Sequence, residues 1–237
     1  MATLLSSGLL VNPGDLTTNT ASAATDLGAI AFDKAGNRYR YVKAGGTSLV
    51  PGKLQQAAAE VTANQDLACA AAAIGATSVT TTSTVTVTAN QYAGGWLVVT
   101  VTPGQGYKYL ISSHPAATAA ALTLTLSDPI VVALTTSSRV DLVANPFSGV
   151  IVNPSTATSA PVGAAVTAIT NAQFGWIQDG GIASILADGA VVVGTDVVGS
   201  NATAGAVEAL TGVQAVVGNA LSGIATTEYG PIKLLLS

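Results

Sequence analysis

Residues 121–126 read Ala-Leu-Thr-Leu-Thr-Leu, and this two-residue period, rather than a helical one, governs most of the chain. Successive side chains on a strand point to opposite faces, so such a run has one dry and one wet side. The same alternation marks the Thr/Val/Ser stretch at 78–87 and the Trp96–Val101 run after Gly94-Gly95. The chain then turns at Pro103-Gly104-Gln105-Gly106 and returns through 107–111, and 130–134 and 140–143 read as two more strands. Turn signals recur at roughly the 8–12 residue spacing of an all-β sandwich or barrel. The last third continues as short strands at 174–178, 181–186, 190–194, 213–221 and 230–236, punctuated by Gly and Asp. No period of about 20–50 residues stands out, which argues against a solenoid or propeller. The expected fold class is mainly β: β-sandwich or barrel domains with an extended N-terminal arm and at most one short helix.

Four segments follow. Residues 1–27, with Asn12-Pro13-Gly14-Asp15 and a Thr/Ser/Ala stretch, read as an extended arm with little capacity for a core. Residues 28–74 hold a hairpin and a possible short helix. Its first strand is Gly28–Phe32, Asp33–Asn37 is turn chemistry, and Arg38-Tyr39-Arg40-Tyr41-Val42-Lys43 alternates. The Ala/Gln-rich run at 54–73 is the best helix candidate by propensity, though its apolar stripe is thin. Residues 75–153 form a middle β domain, and 154–163 resemble a linker or an extended crossing. Residues 154–237 form a small C-terminal barrel-like domain, with which 28–53 are placed to pack.

Charge narrows the function. Of 237 residues only 8% are charged, against about 25% in an ordinary soluble domain. Interspersed charge normally keeps a soluble monomer apart from its neighbours, so this surface suits an assembly. The net charge of −4 argues against nucleic-acid binding, which needs a basic footprint. Lys34, Arg38, Arg40, Lys43 and Lys53 cluster, whereas 141–228 contain acids and no base. The two segments are either partners across a subunit contact or two solvated faces. Tyr39 and Tyr41 share one face of the basic strand and either pack on the domain or anchor an interface, since Tyr with Arg is common hot-spot chemistry. Arg38, Tyr39, Arg40, Tyr41, Lys43 and Trp176 are the candidate interface residues. No apolar run is long enough to span a bilayer, and neither a membrane partner nor a secretion signal is expected.

A search for chemistry gives little. The one histidine, His114, precedes Pro115 and reads as a turn residue, and no Gly-x-Ser-x-Gly elbow accompanies it. Asp33, Asp128, Asp179 and Asp188 stand in turn-like contexts, where Asp bonds nearby backbone N–H groups. Paired carboxylates for glycoside hydrolysis do not emerge from such positions. Cys69 is the only cysteine; it reads as a small buried residue and excludes an intramolecular disulfide and a Cys-based zinc site. Phosphate-binding glycine loops and calcium loops are absent. The sequon Asn201-Ala202-Thr203 lacks a secretion context, and Trp96 and Trp176 read as core. No catalytic residue, metal ligand or cofactor is expected, and the chain is not expected to be an enzyme.

Two segments carry a family resemblance. Leu27–Gly45 is similar to the opening of tailed-bacteriophage virion proteins. The C-terminal run Gly175-Trp176-Ile177-Gln178, Leu186–Gly194, Val217–Leu221 and a final apolar strand resembles phage head decoration (capsid cement) proteins. Together they cover about half the chain, and 75–150 has no counterpart. The resemblance implies a small β-barrel, a homotrimer on the virion's capsid surface, and the major capsid protein as partner. The alternative is a tail or fibre adhesin, or another virion surface protein. The major capsid protein itself is disfavoured, because its spine helix needs a long amphipathic stretch that is missing here.

Overall fold

The structure, a computed structural model, describes residues 4–5 and 8–236. It is nearly all β, as the alternation requires, and divides into two compact units. Residues 60–145 form one unit, inserted into a second made of 1–59 and 146–237. The division lies at 60 and 146, whereas the alternation placed the middle domain at 75–153. The hairpin segment belongs with the C-terminal third.

The larger unit begins with β1 (Leu4–Leu5), β2 (Gly8–Leu10), the single-turn helix α1 (Pro13–Leu16) and β3 (Ile30–Phe32). It continues with β4 (Arg38–Ala44) and β5 (Leu54–Gln56). The N-terminal segment is not a free arm over its described part. β2 pairs in parallel with β3, the Val11 N–H donates to the Phe32 carbonyl (2.9 Å), and Val11 and Leu16 are buried beside Tyr39, Tyr41 and Trp176. Residues 1–3 and 6–7 of that predicted arm lie outside the described residues. The predicted helix at 54–73 is also absent; the segment holds β5 and a short 3-10 turn at Thr62–Asn64. Gln55 and Gln56 are fully buried, and Gln56 exchanges hydrogen bonds with Thr158 through its amide nitrogen (2.7 Å) and oxygen (3.3 Å). With strands on both sides, tertiary pairing overrides the helix propensity of Ala and Gln.

The inserted unit holds β6 (Leu67–Ala68), β7 (Ser78–Thr82), β8 (Thr86–Val87), β9 (Trp96–Val101), β10 (Lys108–Ser113), β11 (Ala117–Thr118), β12 (Ala121–Leu126) and β13 (Arg139–Val143). Its main sheet runs β6-β13-β9-β10-β12-β7, and β8 pairs with β11. A bridge from Cys69 to Thr81, with Ala70 N–H to Thr80 O at 2.8 Å, joins the two outer strands and closes the sheet. Closure removes the free edges that make sheets aggregate. Leu97, Ile111, Leu122 and Leu124 fill the interior, and Cys69 lies buried at the seam, where burial pushes its thiol pKa up.

The chain then returns through β14 (Ser148–Val152), β15 (Pro161–Ala165), β16 (Phe174–Leu186), β17 (Asp196–Gly199), β18 (Val207–Ala209), β19 (Val216–Ala220) and β20 (Tyr229–Leu235). The presumed linker at 154–163 therefore runs into a strand. The pairings β4-β14-β5-β15-β16 close because β16 also pairs with β4. Val42, Leu49, Val150, Ile169 and Ile177 fill this first barrel. Beyond Gly180, β16 pairs with β20, followed by β19, β17 and β18, and a bridge from Ala187 to Val207 closes a second ring. Ile185, Val197, Val217, Ile224 and Ile232 fill it. One 13-residue strand thus serves two barrels.

A local unit recurs that a fixed period does not reveal. Stretches 46–55, 131–140, 166–175, 188–197 and 221–230 share one course: a bend, an isolated bridge residue, a two-residue turn, then a strand. The bridge residues are Leu49, Leu134, Ile169, Val191 and Ile224, all buried. Leu49 bridges Ile169 through reciprocal bonds (2.9 and 3.3 Å), and Val191 bridges Ile224 likewise (both 2.9 Å). Each pair is flanked by four further backbone bonds. In the second pair these join Gly194 and Thr195 to Ala220, and Thr227 and Glu228 to Ala187. Two copies of one turn therefore interlock about a local pseudo-dyad, as a hydrogen-bonded antiparallel pair allows.

The third turn position is left-handed in four of these units, at Gly52, Ala172, Gly194 and Thr227. A Cβ at such φ costs about 1–2 kcal/mol. Ala172→Gly and Thr227→Gly are therefore expected to stabilise the unit by roughly 0.5–1 kcal/mol each, after the entropy of an added glycine is subtracted. Urea unfolding midpoints measure this; a lower midpoint for both would contradict the turn geometry.

Candidate interaction surface

Strand alternation sends Tyr39 and Tyr41 to one face of β4 and Arg38 and Arg40 to the other. The aromatic face is core. Tyr39, Tyr41 and Trp176 are all buried, and the Trp176 ring meets Tyr41 edge-on at 5.0 Å. These three are thus anchors of this chain's own fold, a correction to their expected place at an interface. Val11, Leu16 and Ala31 pack against this face of β4 and cover it. Lys43 stays half-buried, with its ammonium 5.5 Å from the Phe174 ring centroid.

The arginine face meets the acidic segment inside one chain. Asp179 is 2% exposed. It accepts from Arg38 Nε (2.9 Å) and Nη2 (3.1 Å) and from Arg40 Nε (2.9 Å). The β4–β16 register slips between Gln178 and Gly180, so Asp179 is the extra residue of a bulge. A bulge re-aims its side chain, here toward two guanidinium groups on alternate residues. Arg40 Nη1 also donates to the Gly28 carbonyl (3.0 Å), and its guanidinium lies 5.4 Å from the Phe147 ring centroid. Asp179 is accordingly not the turn residue its Asp-Gly-Gly context suggested, and the basic and acidic segments do not wait for a subunit contact here.

Asp33 does act in its turn, accepting from the Ala35 and Asn37 N–H groups (2.8 and 2.9 Å). The Tyr39 hydroxyl donates to Asp33 Oδ2 (3.0 Å). Burial, then this carboxylate, pushes the Tyr39 pKa up to about 12, from 10.0. A raised folded-state pKa gives stability that is present below pH 10 and lost as pH rises toward about 12. Tyr39→Phe is expected to flatten that alkaline loss in thermal melts between those two pH values; an unchanged slope would contradict it.

His114 is a buried residue rather than an exposed turn residue. Its Nε2 accepts from the Tyr92 N–H (2.9 Å), and Nδ1 faces the Pro115 carbonyl (2.8 Å), which places the proton on Nδ1. Both ring nitrogens are thereby engaged within the fold. Trp96 is half-buried, with the Lys108 ammonium 4.4 Å from its ring centroid. Among the described residues no cluster of three His, Cys, Asp or Glu is placed to hold a metal ion.

What the surface offers is apolar. Fourteen large apolar side chains are exposed among the described residues, Ile182, Val192, Val193, Leu221, Tyr229 and Leu235 among them. Ile182 lies on the outer wall of the second barrel, and Tyr229 and Leu235 stand on the neighbouring β20. A groove of about 360 Å3 adjoins this wall, lined by Pro51, Gly52, Ala164, Ala183, Ser184 and Tyr229 among others. Its floor is a bare strand edge. Leu221 N–H bonds to Pro231 O, which turns Pro231 toward β19 and leaves Gly230 and Ile232 to bond β16. Ile182, Ser184 and Leu186 therefore direct their peptide groups away from β20. Leu186 N–H reaches Gly52 O (2.9 Å) and Ile182 N–H reaches Asn37 Oδ1 (3.0 Å), while the Ser184 peptide faces the groove. An apolar patch rimmed by polar groups marks a contact surface, and on this wall exposed Ile182 and Leu235 flank Lys233. Compared with protein-family models, curated proteins and solved structures, the chain matches none.

Proposed function

We propose that this chain is a viral structural protein, a decoration or cement protein. It binds the outside of an icosahedral capsid and clamps neighbouring major capsid subunits by apolar and backbone contacts, without catalysis. The carrying observation is the surface: fourteen exposed large apolar side chains among the described residues of a chain with 8% charged residues. Such a surface is poorly suited to life as a free monomer and well suited to being covered. The closed barrels support the reading, since a clip must be stiff. The groove beside Ser184 supports it too, because a bare strand edge accepts an extended segment of a neighbour through main-chain bonds. Repetition over a shell multiplies weak contacts by avidity.

Quantitative mass spectrometry of purified particles tests this. The expected result is a copy number comparable to that of the shell protein. A few copies per particle, with antibody label at the tail tip, would assign the chain to an adhesin instead, and absence from particles would overturn the proposal.

A further inference from the structure

The outer wall of the second barrel carries a row of side chains whose order is self-complementary. Register places Ile182 of β16 beside Lys233 of β20, Lys233 beside Asn219 of β19, and Asn219 beside Asp196 of β17. The Leu210 N–H bonds to the Asp196 carbonyl (2.9 Å) and extends the row by one more residue. Read across the strands, the row is apolar, cationic, amide, anionic, apolar. Ile182, Lys233 and Asp196 are exposed, and Asn219 and Leu210 are half-buried. The Asn219 side-chain amide donates to the Asp196 carboxylate and holds it in the row. Both ion pairs among the described residues go to Asp179, so Lys233 stands without one, flanked by exposed Ile182 and Leu235.

We propose that two copies of this chain meet face to face across this row, about a two-fold axis running along β19. Neighbouring strands lie about 4.8 Å apart, so Lys233 and Asp196 sit at equal distances on opposite sides of Asn219. Rotation about an axis parallel to β19 and lying between the two copies exchanges those two positions. Lys233 of each copy then faces Asp196 of the other, and Asn219 faces Asn219. Leu221, exposed at the end of β19, faces its own counterpart. A closed isologous contact requires such an arrangement, in which residue i meets j and j meets i. Charge complementarity therefore favours a second copy over an unrelated surface, and the two Lys–Asp pairs set the register. The wall belongs to a small barrel and is convex, so the contact is limited to the central strands and the dimer is weak and concentration-dependent. The contact is two-fold, unlike the three-fold ring that the resemblance implies, and it does not depend on any capsid. Failure of particle binding leaves it standing, and the reverse holds as well.

Sedimentation velocity over a concentration series tests it with the full chain, with Lys233→Glu, with Asp196→Lys and with an equimolar mixture of the two variants. The wild type is expected to show a monomer–dimer equilibrium. Each variant alone sets like charges against each other twice and is expected to raise the dimer Kd roughly tenfold or more. The mixture restores opposite charges in both pairs and is expected to recover the dimer, which a misfolded variant cannot do. A wild type that stays monomeric up to about 1 mM would overturn the proposal. So would single variants that dimerise normally, or a mixture that stays monomeric.

Discussion

Asp179→Ala is expected to destabilise the larger unit by about 3–5 kcal/mol, the usual cost of removing one partner from a buried charge cluster. Asp179 is the sole ion-pair partner of both Arg38 and Arg40 among the described residues. Without it, two guanidinium groups stay in a partly buried site with one carbonyl and one ring for company. The cluster also ties β4 to the bulge of β16, the strand common to both barrels, so its loss is felt in each. Replacing Arg38, Arg40 and Asp179 together by Met, Met and Leu removes the unpaired charge. That triple variant is expected to recover most of the loss. Urea unfolding monitored by Trp176 fluorescence in a Trp96→Phe background follows this unit alone. A loss below about 1 kcal/mol for Asp179→Ala would mean that water already screens the cluster.

Ile169→Ala is expected to cost about 3–4 kcal/mol, within the range for deleting a fully buried aliphatic side chain that leaves a cavity. Ile169 bridges Leu49 at the interlocked pair of turns, and its side chain lies where a Cβ on Gly175 would stand, 2.8 Å from Ile169 Cδ1. Gly175→Ala alone is therefore an overpacking change of about 1–3 kcal/mol. In the double variant the added methyl occupies part of the space that Ile169 vacates, so the two costs are expected to fall short of their sum by about 1 kcal/mol or more. Additive costs would show that the pair does not share the space.

The strand character of the chain is legible because alternation is a local property. The hairpin from Ile30 to Ala44 is legible for the same reason, with Asp33–Asn37 supplying its turn. The buried face of Tyr39 and Tyr41 follows from the same period, but whether core or partner covers it does not. Asp179-Gly180-Gly181 reads as a turn between two strands, yet it is a bulge within one, because a bulge depends on the partner strand's register. Its link to Arg38 spans 141 residues, a separation that no window of sequence contains. The five bridge–turn–strand units were hidden by uneven spacing and by using Leu, Ile or Val interchangeably at the bridge. The apolar outer wall carries only a general signal in advance: too few charges for the surface, with no indication of where the bare part lies.

The claim that this chain works by packing, not by chemistry, is tested most directly by a cryo-EM map of particles that contain it. The account predicts density for the chain on the outer surface at many equivalent positions, each copy touching two shell subunits, one of them through the groove beside Ser184. Density at the tail alone, copies that touch a single shell subunit, or an outer surface without the chain would contradict it.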